Sequence, residues 1–300
     1  MGQLGRLAPS GRRQPALARH GRGLSGVLSV IIPASNESGW IAACLTALFR
    51  SDPVPGGAEV IVVANGCRDN TADRARACAP LAEAAGWRLT VIERAEGGKP
   101  AALNAGDAAA AGEMRAYLDA DVEVSPTLMA QIVMALLPDR PLYASGRAEI
   151  PRAASGVTRA YARFWQRLPF ARSEAPGYGL FAVNRAGRAR WGAFPDIISD
   201  DTFVRLHFTP EERIGLPAPY RWPMIEGFAA LVRVRRRQDA GVAEIARLWP
   251  VLLRNEGKTR PTAATLALLA LRDPVGFATY AAVTLAVCMG RQRADWTRGR

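Results

Sequence analysis

The residues best placed to do chemistry are two aspartates one position apart, Asp119 and Asp121, in the stretch YLDADVEVSP at 117–126. They follow a short apolar run and precede a turn marked by Pro126. Two like charges where a strand leaves its sheet have two obvious uses. Aspartate side chains bond nearby backbone amides and so stabilise turns, and paired carboxylate oxygens are ligands for hard divalent cations. With 13 aspartates in 300 residues, chance alone supplies roughly 0.6 such pairs per chain, so the spacing gains meaning only from its surroundings.

Those surroundings are periodic over the first half of the chain. VLSVIIP (27–33) is a near-continuous apolar run, as expected of a strand buried on both faces of a parallel sheet. ESGWIAACLTALFR (37–50) follows with helical spacing. AEVIVVANG (58–66) predicts a second strand, and DNTADRARACAPLAEAAG (69–86) one alanine-rich helix with Asp, Asn and Thr as caps. WRLTVIER (87–94) predicts a strand, KPAALNAGDAAAAG (99–112) a helix, and RAYLDADV (115–122) a fourth strand that ends in the aspartate pair. Four strand-helix alternations imply a doubly wound α/β sheet. Ligands in such sheets sit beyond the carboxyl ends of the strands. PASNES, ANGCRDN and DAD all fall at those ends, so three polar loops converge on one crevice.

After residue 140 the alternation weakens. RPLYASGRAEI (140–150) reads as a strand and SGVTRAYARFWQRL (155–168) as an amphipathic helix. Residues 177–208 mix a strand, a helix and an acidic turn, and 226–241 read as a strand running into a basic stretch. Residues 274–290 are seventeen uncharged positions, at the floor of the ~17 to 25 that cross a bilayer. Their alanines and threonines anchor weakly, so a packed or interfacial helix is expected. Together with 263–273 it would lie flat on a membrane, with arginines at head-group level.

Composition narrows the class. A hydrophobic content of 49% excludes disorder for most of the chain. The first 25 residues, rich in Gly, Arg, Pro and Ser, are expected to be a disordered basic tail. The four cysteines show no paired spacing, which predicts a reducing compartment, the cytoplasm. The net charge of +12 gathers at the two ends, leaving the middle near neutral. No recognition-helix, zinc-finger or RNP-like pattern accompanies the basic ends, so nucleic acid is not the expected partner. An anionic membrane surface is, because basic residues near such lipid contribute ~1 kcal/mol each.

Taken in order, SVIIPASNE, VIVVANGCRDNTAD, GGKPAALNAG, YLDADV, GYGLFAVNR and PDIISDDTFV resemble the family 2 glycosyltransferases. These are enzymes of the GT-A fold, a Rossmann-like α/β/α sandwich, that transfer a sugar from a nucleotide donor with inversion at the anomeric carbon. The likeness covers about residues 27–208 and is looser to the end. It implies a GT-A domain at 26–235, followed at 236–300 by a mainly helical, basic extension associated with the membrane. It also implies a metal, Mg²⁺ or Mn²⁺, held by Asp121, with Asp119 meeting the ribose or a metal-bound water. Ala34, Asn36, Glu37 and Asn65 would cradle base and ribose, and Lys99 looks like the family's donor-side lysine. The base that takes the acceptor's proton ends an acidic pair, here Asp200-Asp201, which makes it Asp201; Asp200 is expected to cap the helix behind it.

The chain departs from the family's pattern twice. The second strand commonly ends in one or two aspartates, whereas this one ends in Ala64 and Asn65, an amide being both donor and acceptor toward a pyrimidine edge. A UDP-sugar remains the expected donor. The Gln-x-x-Arg-Trp element of processive members is replaced by VRVRRRQDAG, which favours transfer of a single sugar. Arg236 or Arg237 would reach the diphosphate. The basic, amphipathic carboxyl end predicts a glycan or lipid-linked acceptor of the cell envelope and a peripheral place at the inner face of the cell membrane.

Rival readings are a phosphatase with a nucleophilic Asp-x-Asp, a sugar-nucleotide nucleotidylyltransferase, and a non-catalytic GT-A module that binds a nucleotide sugar or a partner. The first wants Thr or Val where Glu123 stands, and the second lacks its Gly-rich phosphate loop, PASNESG occupying that place.

Overall fold

The computed structural model describes residues 28–172, 175–259 and 261–289; the expected tail at 1–25 lies outside them. Its strands are β1 (Leu28–Ala34), β2 (Ala58–Asn65), β3 (Arg88–Arg94), β4 (Met114–Leu118), β5 (Glu123–Val124), β6 (Tyr143–Glu149), β7 (Leu180–Val183) and β8 (Arg213–Arg221). They form one sheet in the order β3-β2-β1-β4-β7-β6-β8-β5. The first four strands in that order are parallel, as the alternation predicts. Beyond β4 the sheet is mixed: β7 runs antiparallel to β4 and β6 to β7, and β8 is parallel to β6.

The parallel half owes its position to burial on both faces. Val30 and Ile32 of β1 enter one apolar cluster, and Ile31 between them enters another, as the two-residue period of a strand requires. Helices α1 (Ile41–Phe49), α2 (Thr71–Arg76) and α3 (Ala79–Ala84) belong to the first side, and α4 (Lys99–Ala109) to the second. Gly106 brings α4 close to the sheet, since a Cβ there would stand 2.4 Å from Cγ2 of Ile31. The remaining helices are α5 (Leu128–Ala135), α6 (Gly156–Trp165), α7 (Arg185–Arg188), α8 (Asp200–Arg205), α9 (Phe228–Leu248), α10 (Ala263–Arg272) and α11 (Pro274–Met289).

Several local expectations are corrected. The helix expected over 69–86 is two, broken at Ala77-Cys78, because Pro80 has no amide hydrogen to continue the first and suits the opening turn of a second. The fourth strand stops at Leu118, so Asp119 to Val122 form a turn. Residues 228–248 are the helix α9, whose buried Leu231, Val232, Gly241 and Ile245 follow helical spacing; the Val-Arg alternation imitates a strand only locally. That helix runs through the expected domain boundary at 235.

Helix α11 has 16 residues, and no described helix is long and apolar enough to cross a membrane. It packs against α6 through stacked Tyr161 and Tyr280 and through Phe164 beside Phe277. Asp273 fixes the joint between α10 and α11. Its carboxylate accepts from the Gly276 amide (3.0 Å), capping α11 with Pro274 as the first helical residue, and takes both Nε and Nη2 of Arg163 on α6 (2.7 and 2.8 Å).

Candidate functional site

The carboxyl ends of β1 and β4 open on one crevice, and α4 points its first residue into it. Lys99 Nζ stands 2.9 Å from Oδ1 of Asp119 and 3.3 Å from Oδ2 of Asp200, bridging the turn after β4 and the start of α8. Pro33, Asp119, Gly177, Gly179, Asp200 and Asp201 share this crevice with Lys99. Burial works against the lysine's charge, but Asp119, Asp200 and Asp201 together outweigh it and hold the ammonium well above its ordinary pKa. Burial pushes the Asp200 carboxyl up, Lys99 pulls it back, Asp201 and Asp119 add repulsion, and it settles at about 6. The acidic site is thus held together by one internal cation.

Each arm of the site is placed by backbone logic. Because β7 is antiparallel to β4, with Leu180 opposite Leu118, the loop entering β7 lies beside the turn leaving β4. The Asp119 amide donates to the Gly179 carbonyl at 2.8 Å. Gly177 (φ +78°) and Gly179 (φ +68°) occupy the left-handed region where a side chain is strained. They also lack room: a Cβ would stand 2.0 Å from the Tyr143 hydroxyl at 177 and 2.8 Å from Trp222 at 179. The segment before α8 is clamped by Asn104 on α4, whose carboxamide donates to the Phe194 carbonyl (3.0 Å) and accepts from the Phe194 amide (2.7 Å). Arg205, four residues beyond Asp201 and 3% exposed, ties α8 to Glu256 through two contacts of 2.9 Å. Lys99 and the acidic pair are therefore set by the same helix, α4.

The expected site residues divide into two groups. Lys99, Asp119 and Asp201 line the crevice, and Asp121, 9% exposed, lies in the same turn as Asp119. Asp201 also accepts from the Thr202 amide at 2.6 Å. Asp200 does not cap α8: Ser199 holds the cap position, and Asp200 is the first helical residue, its charge suited to the positive end of the helix dipole.

On the β1 and β2 side, Asn36 is exposed with φ +58° and accepts from the Arg68 amide at 2.8 Å, while the Glu37 amide donates to Thr71 Oγ1 at 2.8 Å. Asn65 is 3% exposed, and its carboxamide is already engaged. It donates to the carbonyls of Ala34 (2.9 Å) and Val63 (3.3 Å) and accepts from the Gly98 amide (3.0 Å). This amide staples the loop before α4 to the ends of β1 and β2. Arg236 departs from expectation. Its Nη2 donates to the Ala286 carbonyl of α11 at 2.6 Å, so its guanidinium holds two helices together, which α9, read as a strand from sequence, had concealed. No contact ties Arg237 to the crevice among the described residues.

The donor set fits a divalent cation. Asp119 and Asp121 offer hard oxygens in one turn, and no described group of three or more His, Cys, Asp or Glu is arranged to hold an ion alone. A site of one or two carboxylates completed by substrate phosphate is the usual form for Mg²⁺.

Residues that sequence reasoning left unassigned include Asn104, Gly177, Tyr178, Gly179 and Trp222. The stretch GYGLFAVNR carried part of the resemblance, and two glycines flanking a tyrosine at the start of a strand are the signal that marks a close approach.

Comparison with known proteins agrees with this fold. The family described as glycosyl transferase family 2 matches residues 29–186. A mannosyltransferase from Pyrobaculum calidifontis, solved in complex with GDP-Man and Mn²⁺, is similar with a TM-score of 0.55 and 23% identity, over 90% of this chain and 77% of its own. S. aureus TarS 1–349 in complex with UDP-GlcNAc gives a TM-score of 0.51 at 15% identity, over 87% and 81% of the two chains. At these identities the likeness is one of fold. No curated protein matches the sequence.

Proposed function

Because the chain belongs to glycosyl transferase family 2, and is therefore a transferase, we propose that it moves a single sugar, with inversion, from a nucleoside-diphosphate donor to an acceptor hydroxyl. The observation that carries this reading is the meeting of Lys99, Asp119, Asp200 and Asp201 in one crevice at the strand ends. The acceptor oxygen forms a bond to the anomeric carbon as the bond from that carbon to the diphosphate breaks. The electron pair leaves with the nucleoside diphosphate, and the hydroxyl proton passes to the Asp201 carboxylate. Asp201 rather than Asp200 takes this part because Asp200 is buried and paired with Lys99.

Asp121 would hold Mg²⁺ or Mn²⁺, which when bound supplies Lewis-acid charge to the departing diphosphate, and Asp119 would meet the ribose or a metal-bound water. Lys99 adds a fixed positive charge beside Asp119 and offsets the repulsion between the acidic residues it bridges. The loops of Ala34, Asn36 and Glu37 cradle base and ribose, Asn65 shaping them from below. Our reading is a UDP-sugar, supported by the fold shared with TarS, whose structure holds UDP-GlcNAc; the fold shared with the archaeal enzyme makes GDP the competitor to test.

We place the protein at the inner face of the cell membrane, acting on a lipid-linked or cell-envelope acceptor. Leu268, Leu271 and Val275 are exposed around the joint of α10 and α11, beside Arg272. Such a surface suits an anionic lipid interface. Co-sedimentation with phosphatidylglycerol vesicles, weakened by salt, is the expected result; equal recovery without vesicles removes the membrane from the reading.

The donor site is tested by thermal-shift titration with UDP, GDP, CDP and dTDP, with and without Mn²⁺, on the wild type and on Asp121→Asn. A ligand at 100 times its dissociation constant stabilises by about 2.7 kcal/mol. One diphosphate should shift the melting point only with metal, and Asp121→Asn should abolish the shift. No shift from any nucleotide would point instead to a GT-A fold whose donor site is lost.

A further inference from the structure

Lys99 stands where its own helix gives it no support. It is the first residue of α4, behind Gly98 at the cap position, and the first turn of that helix contains no acidic residue. This is the positive end of the helix dipole, where a carboxylate is favoured and an ammonium disfavoured. Asp200 and Asp201 occupy the corresponding positions of α8, with the favoured sign. The charge at position 99 is therefore sustained by the carboxylates it faces and not by α4.

Those carboxylates come from two different parts of the site. Nζ lies 2.9 Å from Oδ1 of Asp119, in the turn after β4, and 3.3 Å from Oδ2 of Asp200 on α8. The Asp200 side chain is only 5% exposed, whereas that of Lys99 is 40% exposed, so the lysine has room to swing and the aspartate does not. The Gly98 amide donates to the Asn65 carboxamide at 3.0 Å, which fixes the backbone where the lysine begins and leaves its flexible four-carbon stem as the moving part. The space that Lys99 shares with Asp119, Asp200 and Asp201 is about 20 Å³, enough for one water. A divalent cation carries several waters or phosphate oxygens around it, more than this space admits while the ammonium stays. No described group of three or more His, Cys, Asp or Glu is arranged to hold an ion, so the diphosphate is the natural source of further ligands.

We propose that Lys99 is an exchangeable counter-cation: it neutralises Asp119 and Asp200 while the donor is absent, and releases Asp119 when metal and diphosphate arrive together, so that the protein does not load the divalent cation alone. The proposal rests on the reading of Asp121 and Asp119 given above and adds to it an order of binding. Asp200, being buried, remains the pivot, so no enclosed charge loses its partner during the exchange. The ammonium trades one carboxylate for phosphate oxygens, and Asp119 trades the ammonium for the ribose or a metal-bound water.

The test is Mn²⁺ binding to the full chain without nucleotide, read from loss of the free ion's electron paramagnetic resonance signal, for the wild type, Lys99→Arg, Lys99→Met and Lys99→Gln. The wild type and Lys99→Arg should bind weakly, and each neutral variant at least about 10-fold more tightly, because a like charge beside the ligands has gone. Adding Asp121→Asn to Lys99→Met should cancel the gain. Neutral variants that bind no tighter, Lys99→Arg that binds as they do, or a gain that survives Asp121→Asn would each overturn the proposal. Wild-type binding that is already stoichiometric without nucleotide would overturn it even were no variant to fold. The same titration is repeated on the wild type with UDP, GDP, CDP and dTDP. If none of them tightens Mn²⁺ binding while the neutral variants gain, the donor reading fails and Lys99 keeps its role as counter-cation; nucleotide-dependent binding with no gain in the variants removes the Lys99 assignment alone.

Discussion

The two sides of the crevice are built by different means. The side we propose for the donor hangs on the carboxyl ends of β1, β2 and β4, neighbouring strands of a parallel stretch whose register is set by runs such as VIIP and VIVV. The opposite side, where we propose the acceptor enters, is assembled from pieces far apart in sequence: the loop at 175–179, the start of α8, and Glu256 reaching back to Arg205. Local chain geometry places the first group, and packing places the second. Substitutions that remove a bridge or a packed turn, as at Lys99 or Gly179, should therefore disturb both fold and chemistry, whereas a change to an unbridged side chain such as Asp201 should disturb chemistry alone.

Asp201→Asn is expected to give the largest effect. Removing a general base lowers kcat by about 10² to 10⁴, and since Lys99 pairs with Asp200 and Asp119 while Asp201 accepts from the Thr202 amide, nucleotide affinity should stay as in the wild type. Steady-state rates beside nucleotide thermal shifts separate the two; retention of more than a tenth of the activity would remove Asp201 from the base role. Lys99→Met comes next. It deletes a charge that faces both the donor and the acidic pair, and an expected loss of roughly 10²-fold in rate follows by analogy with other preorganised charge contacts. Leaving Asp119 and Asp200 to repel one another should also lower the melting point, which a rate defect through donor contact alone would not do.

Gly179→Ala tests the acceptor side. Left-handed backbone costs a non-glycine residue roughly 1–2 kcal/mol, and its Cβ would press on Trp222 and on Val122, each at 2.8 Å. The expected outcome is a drop of several degrees in melting point together with a raised KM for acceptor. An unchanged acceptor KM would show that the loop does not shape acceptor binding.

The legibility of the molecule divides along the same line. Four parallel strands, their helices and the three polar loops could be read because each is a local pattern: an apolar run, a helical period, a turn. Lys99 at the start of its helix was readable for the same reason, whereas Asp119 to Val122 read as the end of a strand and form a turn. Asn65 looked like a base-binding amide because sequence shows its chemistry but not its partners, and the Ala34, Val63 and Gly98 backbone groups that engage it arrive from three segments. Arg236 looked like a phosphate ligand because a run of arginines read as a solvated stretch gives no hint that one guanidinium caps a carbonyl on α11. The aromatic cluster of Trp165, Tyr178 and Trp222 escaped entirely, since the three have no common spacing and meet only when the mixed half of the sheet is formed.

Asp273 provides the mildest test, and it bears on how firmly the helical layer is joined to the acceptor side. Its carboxylate caps α11 and accepts from Arg163 on α6, the helix that carries Trp165. The Arg163 hydrogen bonds lower its pKa, burial opposes them, and the Gly276 amide and the charges of Arg163 and Arg167 lower it further. A carboxyl whose folded pKa lies below its unfolded value, about 3.9, stabilises the fold fully above that value and loses the contribution as pH falls through the folded one. Asp273→Asn keeps the shape, so an amide oxygen can still cap, and the loss should be about 1–2 kcal/mol. Melting curves should show a deficit that is constant above the ordinary carboxyl range and closes as pH falls below it. A deficit that persists unchanged at pH 2 would mean the charge contributes nothing and the cap alone holds the joint.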